Sequence, residues 1–383
     1  MYPATAEIVS LQEALGVEWK NINKARGLAA SKRGELKAAL AGKDSEDISV
    51  VVFGSLARNE FTDNSDIDWT LLIDGSADPK HLDVTREVGA VVDKLSSKPV
   101  GQEATFGTMA FSHEIVHQIG GEDDSNKNTT RRILLLLESA VIGRREAYDR
   151  VFNNVLDRYL LEDRRFLEEN ARYHVPRFLL NDFARYWRTM AVDFAYKRRT
   201  RALEGAAVRN IKLRMSRKLI YVSGLLTCFA CHLELSDEQR KLFFCKPDLE
   251  RRFVDFFRTR LRRTPLDTLA AVFHSRAHLH DAARKIFGAY DRFLGVLLNP
   301  EMRERLNGLS LESQGDDALY QQLRKDSHEF RDGLLDLFFR DDNLLAELTL
   351  MYGVFKCDPS VFQRAPLPTP ISGLGSACLR VKA

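Results

Sequence analysis

Two aspartates, Asp66 and Asp68, stand one residue apart in the stretch SDIDWTLLID, which otherwise has the composition of a buried strand. On a strand, side chains two apart project from the same face, so the carboxylates lie side by side while Ile67 and Trp69 turn toward a core. Adjacent carboxylates repel, and without a cation one of them takes up a proton. Mg2+ resolves the repulsion best, because it takes oxygen ligands and is commonly held by one or two carboxylates together with substrate phosphates. Upstream, Gly54-Ser55 closes the β-branched run ISVVVF and opens SLARNEF, read as a helix. A glycine there lets backbone N–H groups approach phosphate oxygens, and a helix N-terminus favours the same charge. Together the two features form a phosphate cradle facing a metal-holding strand, the arrangement that transfer of a nucleotidyl group requires.

The elements that must position these residues follow from periodicity. Ile8, Leu11, Leu15, Trp19, Ile22, Leu36 and Leu40 recur at the three-and-four spacing of an amphipathic helix over residues 4–41. Two short strands, ISVVVFGS and DIDWTLLIDG, follow, then a Pro-opened helix over 79–96 and a third strand region, EATFGTMAFSHEIVHQIG, interrupted at Gly107. From Asn128 to about Phe355 the pattern is helical, with breaks at Pro176, Gly205, Pro247, Pro265 and Pro300. The last residues have Pro and Gly in no period. Strands first and helices afterward predict an α+β fold. Its parts are a helical arm over 1–46, a small mixed-sheet catalytic core over 47–127, an all-helical domain over 128–356 and a flexible tail over 357–383.

The segment GSLARNEFTDNSDIDW resembles the signature of the DNA polymerase β-type nucleotidyltransferase superfamily: Gly-Ser, a spacer, then Asp-x-Asp on the next strand. Ten residues lie between Ser55 and Asp66, within that family's spacing. The surrounding residues, and the later TTRRILLLLESAVIGRREAYDRV, look closest to the uridylyltransferase-like branch that modifies signalling proteins. Oligonucleotide-synthesising immune nucleotidyltransferases, relatives of cyclic GMP-AMP synthase, carry a similar pair of motifs. The resemblance implies Asp66 and Asp68 as metal ligands and catalytic residues, with Gly54, Ser55 and Arg58 on the nucleotide. It implies two Mg2+ ions, with Mn2+ as a substitute, about 3.5–4 Å apart. The attacking hydroxyl displaces pyrophosphate from an NTP such as ATP.

The superfamily usually supplies a third acid from a later strand, and Glu114 in AFSHEIVHQIG holds that position, with Glu122, Asp123 and Asp124 in the next loop as rivals. The loop also reads as the start of a helix, with Asn128 or Thr129 as its cap and with Asp124, Asn126 and Arg131 within range of a nucleotide. Between Arg177 and Lys218 there are 12 Lys or Arg against three Asp or Glu. Lys212, Ser216, Arg217 and Lys218 are the candidates from this stretch to meet a triphosphate. Such a surplus also suits a solvated face or RNA. Tyr186, Trp187, Phe194 and Tyr196 have helix-core spacing, which argues against base stacking.

The uridylyltransferase-like enzymes often bear a phosphohydrolase domain built on a His-Asp pair. His274, His278, His280 and Asp281 cluster in HSRAHLHDAARK, but no further ligand set accompanies them, so transfer without hydrolysis is expected.

A net charge of +3 makes no general demand for nucleic acid. Five scattered cysteines, with Cys228 and Cys231 in the apolar LIYVSGLLTCFACHL, fit a reducing cytoplasm rather than a disulfide framework. That run lacks charge for 15 residues, short of the roughly 20 a membrane span needs. No export signal is visible at the N-terminus. The expected function is nucleotidyl transfer from an NTP to a hydroxyl, on a protein by resemblance. The alternatives are a cyclic or linear oligonucleotide signal synthase and a nucleotide-binding regulatory module that has lost transfer.

Overall fold

Residues 6–97, 106–162, 174–200, 205–244, 248–310 and 313–354 are described by the structure, a computed structural model. Its centre is a four-stranded mixed sheet in the order β3-β2-β1-β4. The strands are β1 (Ile48–Phe53), β2 (Trp69–Ile73), β3 (Thr108–Phe111) and β4 (Ser139–Ile142). β1 pairs antiparallel with β2, in a register setting Val52 opposite Trp69, and with β4, setting Phe53 opposite Ser139. β2 and β3 run parallel.

β1 is the central strand and is covered on both faces, which is why it is an unbroken β-branched run rather than an alternating one. Val50 and Val52 face a smaller core with Trp69, Leu71 and Ile73. That core is closed by Ala29, Leu36 and Leu40 from the region of α2 (Lys20–Ala39) and by Val88 and Val92 of α4 (Lys80–Leu95). Val51, Phe53 and Leu72 face the larger core, which continues into the helices. Each fully buried side chain of this kind stabilises the fold by about 1.5–3 kcal/mol.

The expected N-terminal helix is two helices, α1 (Ala6–Leu15) and α2, broken at Gly16, whose φ is +63°. Ile8, Leu11 and Leu15 are buried, as predicted, and Trp19 at the break stacks on Phe287 with ring centroids 4.5 Å apart. The helix expected after Gly54-Ser55 is a single turn, α3 (Gly54–Ala57). The third strand region is shorter than its apolar pattern suggests, because Ser112–His117 coils as α5.

The sheet also draws on residues beyond the boundary expected at 127. After α6 (Asn126–Leu137) the chain enters β4 before α7 (Glu146–Leu161). Four residues with alternating burial gave no separate strand signal between two helical patterns.

The remaining described residues are helical, led by the long helix Arg177–Thr200. Helix Lys218–Cys228 approaches it closely at Gly224, where a Cβ would stand 2.8 Å from Phe183 Cδ2. Cys228 and Cys231 are buried free thiols, pushed above their ordinary range by burial. No helix among the described residues is long and apolar enough to cross a membrane. The tail expected over 357–383, with Cys357 and Cys378, lies outside the described residues, as does Cys245.

Candidate active site

Asp66 and Asp68 lie just ahead of β2, in an extended segment that continues the pairing one residue before the strand: Phe53 N–H donates to the Asp68 carbonyl at 2.9 Å. The alternation holds, since Ile67 and Trp69 are buried in the smaller core while both aspartates are only partly buried. The adjoining strand end brings Gly54 against Asp68. Gly54 has φ +66°, and a Cβ added to it would sit 3.0 Å from Asp68 Oδ2. Glycine is required there on both counts, since an L side chain is strained at that φ and has no room.

These residues open into a cavity of about 460 Å³. Gly54, Ser55, Arg58, Asp66 and Asp68 line it together with Lys212, Ser216 and Arg217 from the helical region. Eight residues named from the sequence thus meet, although Lys212 follows Asp68 by more than a hundred positions. Lys218 is not part of the lining, and its charged neighbours are Arg214 and Arg331. A π-helical turn over Leu213–Arg217 explains this partition: it adds a residue to the turn and offsets Ser216 and Arg217 from the rows of a regular helix. Neither Lys212 nor Arg217 makes an ion pair within 4 Å among the described residues.

The electrostatics centre on Asp68. Burial, then the charges of Asp66 and Glu138, push its carboxyl up to about 7, against the opposing pull of Lys212 and Arg58. Burial pulls the Lys212 ammonium down to about 8, helped by Arg303, Arg217 and Arg58 and opposed by Asp66. Crowded carboxylates and an under-hydrated ammonium therefore share one cavity, and a cation with a polyphosphate would satisfy both.

Arg58 does not face the cavity freely. It is buried between Glu60, at 3.1 Å from Nε, and Glu138, which accepts from Nη1. Burial works against its charge, but the two carboxylates more than offset that and hold the guanidinium above its ordinary range. Tyr290 and Ser216 adjoin the same buried network.

Glu138 is the acid that sequence reasoning missed. It sits at the junction of α6 and β4, one residue before the Ser139 that pairs with Phe53, and it lines the cavity. Its only signal was its place in LLLLESAVI, an acid at the end of an apolar run, and the helical reading of that run hid it. The position expected for Glu114 is corrected. It lies on α5 rather than on a strand, is exposed, and stands 3.7 Å from Arg131, outside the cavity lining.

In the acidic loop, Asp124 is held by two arginines. Asp124 binds Arg132 at 2.8 and 2.9 Å and Arg185 at 2.9 Å, tying α6 to helix Arg177–Thr200. The cap of α6 is Ser125, whose Oγ accepts from Asn128 N–H, rather than Asn128 or Thr129. Asn126 and Lys127 reach the cavity, but Arg131 does not. His278 pairs with Asp342 at 3.4 Å, and His274 is exposed.

Among the described residues, no three His, Cys, Asp or Glu side chains stand where they alone could hold a metal. Two crowded carboxylates beside a glycine turn still fit a hard cation whose remaining ligands are phosphate oxygens and water.

A family model described as a nucleotidyltransferase domain matches residues 34–105, from within α2 through β1, α3, β2 and α4. Comparison with curated proteins and with solved structures gives no match. The matched span contains the glycine turn and both aspartates, and with the mixed sheet beneath them it marks residues 34–105 as a nucleotidyltransferase domain of the DNA polymerase β-type superfamily.

Proposed function

We propose that the protein transfers a nucleoside monophosphate from an NTP to a hydroxyl acceptor and releases pyrophosphate. The observation that carries the reading is the convergence of Asp66, Asp68, Lys212 and Arg217 on one cavity that the Gly54-Ser55 turn also lines. Asp66 and Asp68 would hold Mg2+, as two ions sharing the pair or with Mn2+ in their stead, and the metal would lower the pKa of the attacking hydroxyl and neutralise phosphate charge.

The protein's own residues do the rest. The Gly54-Ser55 turn offers backbone N–H groups to the phosphates, and the absence of a Cβ at Gly54 keeps Asp68 against that turn. Lys212 and Arg217 meet the triphosphate charge, including that which accumulates on the departing pyrophosphate. Glu138, adjacent to Asp68 and held by Arg58, is the third carboxylate of the site and receives the proton of the attacking hydroxyl.

A protein hydroxyl as acceptor rests on the resemblance to the uridylyltransferase-like branch. A nucleic-acid acceptor is favoured by the groove described below. The test is incubation of the purified protein with each NTP, labelled in its α-phosphate, with Mg2+ and with RNA or cell lysate. Pyrophosphate release with label retained on a macromolecule or a new small product supports transfer. Tight NTP binding with no pyrophosphate released under any condition would make the chain a binding module instead.

A further inference from the structure

Beside the cavity runs a larger groove of about 1020 Å³. The two share Asn126, Thr189 and Asp193 in their linings, so the groove adjoins the cavity that holds the aspartates. One side of the groove is a single stripe of helix Arg177–Thr200, including Arg185, Arg188 and Val192, recurring every three or four residues. Tyr221 and Tyr352 line the groove as well. From Arg177 to Tyr196 the stripe spans about 28 Å at the rise of an α-helix. That length exceeds the reach of one nucleotide, and the volume stands at the upper end of small-molecule pockets.

The lining chemistry narrows the occupant. It holds three arginines, Arg177, Arg185 and Arg188, of which Arg185 is engaged by Asp124, and one acid, Asp193. Arg188 is exposed and makes no ion pair among the described residues. Tyr221 is fixed by stacking on Trp187, with centroids 5.7 Å apart and planes 20° apart. Tyr196, assigned to a helix core by its spacing, is instead 64% exposed and lines the groove. Val192 beside it is 70% exposed. Arginines interleaved with tyrosine rings along an extended track match phosphates alternating with bases. A folded protein acceptor would offer no reason for the track to run on over so many turns.

We propose that this groove holds the acceptor, and that the acceptor is a single-stranded nucleic acid whose terminal hydroxyl enters the cavity past Asn126, Thr189 and Asp193. The proposal rests on the nucleotidyl-transfer reading. The terminal hydroxyl oxygen forms a bond to the α-phosphorus of the NTP. The bond from that phosphorus to the oxygen bridging the β-phosphate breaks, and pyrophosphate leaves with the electron pair. The hydroxyl proton passes to a carboxylate of the cavity and then to water. The strand ends one nucleotide longer.

The test uses the full chain and a fluorescent single-stranded RNA of a dozen nucleotides, with binding read by anisotropy at several salt concentrations. The expected result is salt-dependent binding that Arg188→Glu weakens about tenfold, with the salt slope falling by about one. Val192→Asp, which leaves every arginine in place, also weakens it. Binding of a fluorescent NTP to the cavity is unchanged in both variants. With NTP and Mg2+, the wild-type protein extends the RNA and Arg188→Glu extends it poorly. Absence of RNA binding, binding insensitive to both variants, or label entering a protein at the same rate in Arg188→Glu overturns the acceptor assignment while NTP binding stands. If RNA binding depends on Arg188 but no NTP binds, the transfer reading is overturned and the groove remains a nucleic-acid site.

Discussion

Arg303 and Thr62, 241 residues apart, are joined by a 2.7 Å hydrogen bond from Nη1 to Oγ1 in a buried setting. Thr62 Oγ1 also meets Ser65 Oγ at 2.8 Å, and Asp66 follows directly. The helical region thereby fixes the segment that carries the aspartates. Its helix Pro300–Asn307 also accepts Gly205 N–H on Asn307 at 2.9 Å, at the entry to the segment bearing Lys212.

Arg303→Met should therefore raise the Mg2+ concentration needed for half-maximal activity by about tenfold, as loss of a group that orients a ligand does. Arg303→Lys restores part of the metal affinity. A thermal melt accompanies the titration. If both variants lose melting temperature but keep the wild-type Mg2+ dependence, Arg303 only supports the fold.

Gly54→Ala places a methyl group 3.0 Å from Asp68 Oδ2 at a φ of +66°. The backbone strain costs about 1–2 kcal/mol. Displacement of Asp68 lowers turnover by about 100-fold or more. The protein should remain folded by circular dichroism, and a variant with near wild-type turnover would argue that the turn does not set the metal-holding geometry.

Asp68 makes the metal-free protein pH-dependent. Its folded-state carboxyl at about 7 stands above the ordinary 3.8. Between those values the folded state keeps a proton that the unfolded state has lost, so stability falls as pH rises through this window. Asp68→Asn removes that loss and should melt higher than wild type at pH 7.5, with the gap closing toward pH 4. Mg2+ should raise the wild-type melting temperature near neutral pH and leave Asp68→Asn unmoved. Equal pH profiles for the two proteins would mean that Asp66, Glu138 and burial do not press on Asp68 as described.

Glu138 and Glu114 make opposite predictions. Glu138→Gln should lower turnover by about 100-fold or more, as loss of a group handling the reacting proton does, while retaining NTP binding. Glu114→Gln, on an exposed site outside the cavity, should leave turnover unchanged. Steady-state rates with labelled NTP separate the two, and a reversal of their order would return the third-acid role to Glu114.

The glycine turn and the aspartate pair were legible because their chemistry is local: ten residues separate Ser55 from Asp66, and a period of two decides which way Asp66 and Asp68 face. Charge density pointed to the basic stretch but not to its geometry. The π-helical turn that admits Ser216 and Arg217 and leaves Lys218 out changes the phase of the helix, and no composition signals it. Tyr196 failed in the same way, since helical spacing states which residues share a face but not whether another element covers that face.

By itself, then, the sequence determined the strand-turn-aspartate unit, the α+β class and the family resemblance that unit carries, because each depends on neighbours a few residues apart. Only the tertiary structure decided that Glu138 rather than Glu114 borders Asp68, that Arg58 is held between two carboxylates, and that Arg303 secures the aspartate segment. Apart from the Arg58–Glu60 contact, those relationships join residues tens to hundreds of positions apart. They exist because β4 pairs with β1 and the helices close over the sheet, and that packing is set by burial of the whole core rather than by any local pattern.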